Sequence, residues 1–308
     1  MRLSRRQTLG ATFCLCCAPR TLRADTSATY QEIAAGIHIR RGVDEDATAD
    51  NQDAIANTGF IVGRDRVLVT DPGGSLADGQ RLRVAITKAT DKPVGFVLLS
   101  HIHPDHIFGA GAFIADSPQF IGHANLPASI AARGAFYRSH LDAILGAGRA
   151  GPLVPPRMTV DGELEIDLGA RRLTLRAHPP AHTRTDVSLF DHATGTLLPA
   201  DLLFVRRIPS LDGSLAGWLD ALSSLLTIRP ARAVPGHGPV SVDLASAVAD
   251  LTRYLTTLRD ETRAAIAAGQ DITRAIGSVG LSERANWALF DAYHSRNVTE
   301  AYRELEWE

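Results

Sequence analysis

The chain has 308 residues, 45% hydrophobic and 21% charged, with a formal net charge of −2. That length can bury a sizeable core, and the near-neutral balance excludes the basic footprint of a nucleic-acid binder. Cys14, Cys16 and Cys17 are the only cysteines and sit together near the N-terminus. A chain that lost that segment would have no disulfide, no thiol nucleophile and no thiolate ligand.

Residues 1–24 carry Arg2, Arg5, Arg6, Arg20 and Arg23 and no acid, around the apolar run Leu9–Ala18. This is the layout of a cleavable export signal ending near Ala24. The stretch Ser4-Arg5-Arg6-Gln7-Thr8-Leu9 resembles a twin-arginine signal, although Thr8 stands where a bulkier apolar residue is usual. The run is too short to span a bilayer, and no cysteine follows a lipoprotein pattern, so no stable membrane insertion is expected. Removal of residues 1–24 leaves 27 basic against 34 acidic residues, a charge of −7. Such a chain avoids anionic membranes and nucleic acid and is expected in the periplasm or otherwise outside the cytoplasm.

From residue 30 onward, Gly36–Arg40 reads as a strand and Asp44-Glu45-Asp46 as a solvated loop. Thr58–Gly63 and Arg66–Thr70 flank Arg64-Asp65 as a hairpin that stops at Asp71-Pro72-Gly73-Gly74. Residues 76–90 read as a helix with Leu82, Ala85, Ile86 and Ala89 on one face, and Val94–Leu99 as a buried strand. A short helix is expected near Pro104, a strand at Gln119–His123, and a helix over 126–146 striped by Leu126, Ile130, Tyr137, Leu141, Ile144 and Leu145. That stripe reads as core, with a substrate groove as the alternative. Gly146–Pro156 reads as a flexible connection between two halves.

The second half gives the hairpin Glu163–Leu168 and Arg172–Arg176, then the pair Asp186–Phe190 and Thr196–Leu198. Val248, Leu251, Tyr254, Leu255 and Leu258 line a helix, Trp287, Phe290 and Tyr293 read as packing, and Asn297-Val-Thr-Glu300 reads as a capping box opening the last helix. Strands followed by helices in both halves suit sheets with helices packed outside.

The chemistry concentrates in His101-Ile102-His103-Pro104-Asp105-His106, directly after a buried strand. Imidazole nitrogen and carboxylate oxygen are ligands of borderline metals such as zinc. His182 in Ala181-His182-Thr183, Asp201 in Pro199-Ala200-Asp201 and His237 in Pro235-Gly236-His237-Gly238 each fall at an expected strand end. A lone histidine in such a loop is more often structural; several with one placement point to a shared site. Arg206 and Arg207 are candidates to hold a substrate carboxylate or phosphate, with exposed structural arginines as the plainer alternative. His123 and His178 read as loop or core histidines, with a supporting role beside the site as the alternative.

His101-x-His103-x-Asp105-His106, followed in order by His182, Asp201 and His237, resembles the metallo-β-lactamase superfamily, and Asp71 in its Thr-Asp-Pro-Gly context matches too. The resemblance spans residues 30–240 and implies an α/β (α+β) fold, the αββα four-layer sandwich, as a single domain over 25–308 with C-terminal helices. It implies His101, His103 and His182 on one metal, Asp105, His106 and His237 on a second, and Asp201 bridging. Asp71 would support the ligands from behind, and Asp105 would orient the catalytic hydroxide. Two zinc ions are the expected cofactors; the all-His/Asp donor set also accepts iron or manganese.

A narrower resemblance rests on Arg40–Glu45, Ile208–Ser214, Tyr293–Val298 and Glu304–Glu308. These stretches are similar to the SoxH-like, quinoprotein-relay group of exported zinc metallohydrolases. The expected activity is therefore metal-dependent hydrolysis of a small ester, thioester, lactone or amide by a metal-bound hydroxide, linked to a periplasmic quinoprotein oxidation system. A β-lactamase is the nearest alternative, although the cysteine ligand of some antibiotic-destroying members is missing. A non-hydrolytic accessory or maturation protein of a quinone-cofactor system is the alternative from another class. A flavin-linked oxidoreductase with an iron pair would need an electron-carrier domain.

Overall fold

A computed structural model describes residues 29–308. The expected export signal, with all three cysteines, lies outside the described residues.

Short apolar runs between turn residues build two sheets. The first holds seven strands in sequence order: β1 (Gln31–Ala34), β2 (Ile37–Arg40), β3 (Thr58–Val62), β4 (Val67–Thr70), β5 (Val94–Leu99), β6 (Gln119–His123) and β7 (Met158–Val160). β1 to β4 form an antiparallel meander, and β4 to β7 are parallel. The second sheet runs β8 (Glu163–Asp167), β9 (Arg172–Ala177), β10 (Val187–Asp191) and β11 (Thr196–Phe204) antiparallel, with β12 (Arg232–His237) parallel beside β11.

Alternation of side chains along each strand splits the interior into three cores. Leu68, Phe96 and Leu98 from the first sheet meet Leu173, Leu175, Leu189, Leu198 and Val234 from the second. Their sequence neighbours Val67, Val69, Val97 and Leu99 face the other way, onto α1 (Leu76–Ala89) and α3 (Leu126–Leu145). On the far side, Leu197 and Ala233 pack under α4 (Leu215–Leu226), α5 (Leu244–Ala267) and α7 (Phe290–Leu305). Strands buried on both faces read as continuous apolar runs, and the result is the expected αββα sandwich. Ser75, Ser214 and Asp243 accept backbone N–H groups at the starts of α1, α4 and α5, satisfying donors a helix N-terminus leaves open.

Several expectations need correction. Gly146–Pro156 does not separate the halves, because β7 follows it and still pairs with β6; the crossing between sheets comes at Asp161-Gly162. Ala89 is exposed. Trp287 packs in the core as expected but precedes α7, and its indole donates to Glu283. Asn297 lies within α7, not at its start. The helix already begins at Phe290, after Leu289 in the left-handed region. Buried between layers, the Asn297 amide donates to Pro209 O and Tyr254 Oη and accepts from Leu211 N. An Asn-x-x-Glu spacing fits a cap and a mid-helix bracket equally well, and only packing separates them.

Trp218 is the largest fully buried side chain on the α4 face, and its indole donates to Leu202 O at 3.0 Å. Trp218→Ala should cost about 3–5 kcal/mol in denaturant unfolding. Trp307→Ala, at a position 84% exposed, should change stability by less than about 0.5 kcal/mol.

Candidate metal centre

Sheet ends deliver every candidate ligand to one place. β5 ends at Leu99, and the next residues carry His101 and His103 before α2 (Pro104–Ile107) sets Asp105 and His106 on one short turn. His182 sits in the loop between β9 and β10, and His237 ends β12. Asp201 lies inside β11 rather than at its end, where the register against β12 shifts on both sides of Ala200. Ala200 itself has φ 49°, a left-handed value that a residue with a Cβ adopts only under constraint. Gly236 has to be glycine, because a Cβ there would stand 1.8 Å from Asp201 Oδ1.

The side chains fall into two groups, His101, His103, His182 and Asp201, and Asp105, His106 and His237; within each, one ligand atom per residue lies within 4.8 Å of the others. Asp201 faces both. Its Oδ2 is 3.7 Å from His101 Nε2, 3.4 Å from His182 Nε2 and 3.4 Å from His237 Nε2, and its Oδ1 is 3.1 Å from His106 Nε2.

The outer ring nitrogens explain which atoms turn inward. Asp71, at φ 56° after β4, accepts from Ser100 N and Ser100 Oγ and from His106 Nδ1, each at 2.8 Å. Since the Ser100 hydroxyl donates to Asp71, it must accept from His101 Nδ1 at 3.0 Å. His237 Nδ1 donates to Ile55 O at 3.0 Å, and His103 Nε2 to Asp212 Oδ2 at 3.1 Å. Each tether fixes a tautomer and leaves the opposite nitrogen with its lone pair toward the centre. His103 Nδ1 and His182 Nε2 converge to 2.9 Å.

This geometry fits metal. His101 Nε2, His106 Nε2 and Asp201 Oδ1 are buried and make no aligned hydrogen bond, a costly arrangement unless a cation satisfies them. An all-imidazole and carboxylate donor set suits zinc, iron or manganese.

Electrostatics divide the cluster the same way. Burial pushes His101 well below its usual range and His182 down to about 3. Burial also opposes charge on His106 and His237, but Asp201 and Asp105 outweigh it and raise both. Against the same burial, His106 and His237 hold Asp105 and Asp201 well below the carboxylate range. A metal held at the second group would compete with protons there.

Supporting residues come from distant chain segments. Asn57 donates to Pro235 O at 2.8 Å and Gly238 O at 3.1 Å and accepts from Gly42 N, pinning the loop that carries His237. Thr185 Oγ1 accepts from Ile102 N, and Val187 N donates to Ser100 O, tying the His182 loop to the His101 loop. Asp212 also receives Arg133. None of Asn57, Ser100, Asp212 and Thr185 stands out as a site residue in the sequence.

The cluster opens into a cleft of ≈ 610 Å³ lined by His103, Asp105, Asp201 and His237, by Phe136, Tyr137, Leu141 and Ile144 of α3, and by Arg133, Arg207 and Arg296. Asp53 also lines it, its carboxyl raised well above the usual range by burial and by Asp105. A larger cleft of ≈ 1000 Å³ lies across the Asp212–Arg133 pair and contains no residue of the cluster.

Of the two arginines after Asp201, Arg206 is exposed and does not line the smaller cleft, whereas Arg207 is buried and donates to Glu45 O and Tyr293 Oη. His123 and His178 pair with each other and with Asn125 N and Ser188, apart from the cluster.

A family model described as the metallo-beta-lactamase superfamily matches residues 52–237. A probable metallo-hydrolase of Streptococcus pyogenes serotype M6 is 27% identical over 203 residues, spanning 61% of this chain and 82% of that protein. Among solved structures, a metallo-beta-lactamase from Pontibacter korlensis gives a TM-score of 0.60 at 16% identity, over 74% of this chain and 98% of that one. The inverting sec-alkylsulfatase Pisa1 from Pseudomonas sp. gives 0.70 at 15% identity, over 91% of this chain but 51% of that one. FIM-1 from Pseudomonas aeruginosa in its mono-zinc form gives 0.55 at 18% identity, over 73% of this chain and 94% of that one. At these identities the structural likenesses speak for the fold alone. The family model covers more than half of the chain, and with the buried His/Asp cluster it makes this protein a metal-dependent hydrolase that belongs to the metallo-beta-lactamase superfamily.

Proposed function

We propose that the protein is an exported hydrolase that holds two zinc ions and cleaves an ester, thioester, lactone or amide bond. The observation that carries this reading is the pair of adjacent buried ligand groups sharing Asp201. His101, His103 and His182 would hold one ion, Asp105, His106 and His237 the other, and Asp201 both. When bound, such a metal pair acidifies water near neutral pH and polarises a carbonyl oxygen.

The chain's own residues do the rest. Asp105 reaches the cleft at 8% exposure and would orient the attacking water, taking its proton. Asp71 holds the His101 and His106 rings in the tautomers that binding requires, and Asp212 does so for His103. The α3 wall would shield a bound scissile bond from bulk water on one side, which strengthens electrostatic interactions there.

Zinc is favoured over iron and manganese by the expected export, and one structural neighbour is described as a mono-zinc form. A link to a periplasmic quinoprotein system rests on the narrower resemblance. Residues in or next to the segments that carry it touch one another: Glu45 O accepts from Arg207, Asp46 from Tyr293, Asn297 brackets Pro209 and Leu211, and Glu304 accepts from Ser214 and Leu215. β-Lactam hydrolysis is the second reading, favoured by neighbours that are lactamases.

Metal analysis of the mature protein should find two ions per chain, and a chelator should abolish turnover that zinc restores. Asp201→Ala should lose the second ion or bind both loosely; two retained ions with full activity would overturn the shared-ligand role. Asp71→Ala, which touches no metal, should lower metal affinity or kcat/KM about 10–100-fold. Across a panel of esters, thioesters, lactones and β-lactams, carbapenem turnover far above a metal-free control would favour the second reading. Fractionation should place the protein outside the cytoplasm without residues 1–24, and an uncut cytoplasmic chain would sink the export reading.

A further inference from the structure

The cleft offers two kinds of surface beyond the ligand cluster. One is an apolar wall on α3, where Tyr137 and Leu141 are buried, Ile144 is half-buried and Phe136 is 69% exposed. The other is a set of three guanidinium groups, of which two are already committed. Arg133 is paired with Asp212 and lies 5.0 Å over the Tyr137 ring. Arg207 donates to Glu45 O and Tyr293 Oη and stands 3.9 Å from Asp46. Arg296, exposed on α7, lines the same cleft and has no ion pair or hydrogen bond among the described residues.

The acids of the cleft do not balance Arg296. Asp105 and Asp201 belong to the ligand cluster, Asp46 stands beside Arg207 and accepts from Tyr293, and Asp53 is buried, which raises its carboxyl above the usual range. Past the ligand cluster, Arg296 is the arginine of this cleft without an ion pair among the described residues, and it shares the cleft with the apolar wall of α3.

Resting on the hydrolase reading above, we propose that the cleft selects amphipathic anionic substrates. Their apolar acyl or alkyl part lies along Phe136, Tyr137, Leu141 and Ile144, and Arg296 binds an oxyanion carried away from the scissile bond. A guanidinium holds carboxylate or sulfonate oxygens through two parallel N–H donors. A charge-assisted contact of this kind is commonly worth about tenfold or more in affinity.

The test has a kinetic arm and a binding arm. Matched medium-chain esters, differing only in a terminal carboxylate against a terminal methyl, are compared on the zinc-loaded enzyme. The anionic ester should have the higher kcat/KM through a lower KM. Arg296→Ala should reduce that preference about tenfold, Arg296→Lys should restore part of it, and Phe136→Ala should flatten the dependence of KM on chain length. A preference that is absent in the wild type, or unchanged in Arg296→Ala, overturns the proposal.

Calorimetry with octane-1-sulfonate, a poor metal ligand, reads the same site without turnover. Binding by the wild type that weakens about tenfold in Arg296→Ala supports the proposal, and equal binding by both proteins overturns it. If no ester is cleaved, the carbonyl-hydrolase reading fails while the sulfonate titration still decides the role of Arg296.

Discussion

Seven side chains that compete for cations and protons are gathered in a largely buried pocket, and the surrounding fold has to hold them there. Imidazole lone pairs and carboxylates at this density repel one another and are poorly solvated. The fold meets the problem from the outside of the ring. Asp71, Asp212 and the Ile55 carbonyl grip the outward nitrogens of four histidines, directly or through Ser100. Those grips cost little, because each is an ordinary hydrogen bond, yet together they decide where every inner lone pair points. Asp71 acts on ligands of both groups at once, which couples the two halves of the centre through one carboxylate.

The four-layer architecture serves that ring. Two sheets stacked on a shared apolar core present their strand ends along one edge, and loops from both sheets meet there. A cluster built on a single sheet would draw all its ligands from one side. Here β5 supplies one end of the ring and β9 to β12 the other, so the centre sits across the sandwich seam. Strain is stored at the same edge, at Asp71 and Ala200, and the close approach of Gly236 to Asp201 leaves no room for a side chain.

Much of this was legible in the sequence, for identifiable reasons. Strands such as Val94–Leu99 announce themselves because burial on both faces leaves them uniformly apolar. The ligands are legible because metal chemistry tolerates few residue types and sets them beside turn formers. What stayed hidden was tertiary. Asn57 is an unremarkable asparagine until its amide is seen bridging to Pro235 and Gly238. Asn297 carries a pattern that describes a helix start, and its real partners lie on other elements. Asp201 looked like a strand terminus because Pro199 interrupts the pattern, whereas β11 continues through it with a displaced register. Arg296 gave no local signal at all, since its meaning comes from what its neighbours have already spent.

The Asn57 bridge has a consequence for how the centre comes into being. Its two hydrogen bonds span 178 and 181 positions of chain, so the His237 loop cannot settle until nearly the whole sandwich has closed. Contacts of such long range form late, because loop closure must be met before they reward the chain. A partly folded chain would therefore carry the His101–His106 segment without its completing partners and grip metal weakly. Metal that binds only the closed form draws the equilibrium toward it by mass action. Topology then favours an order in which the chain closes before a metal is held tightly, and a bound metal would lock what has already closed.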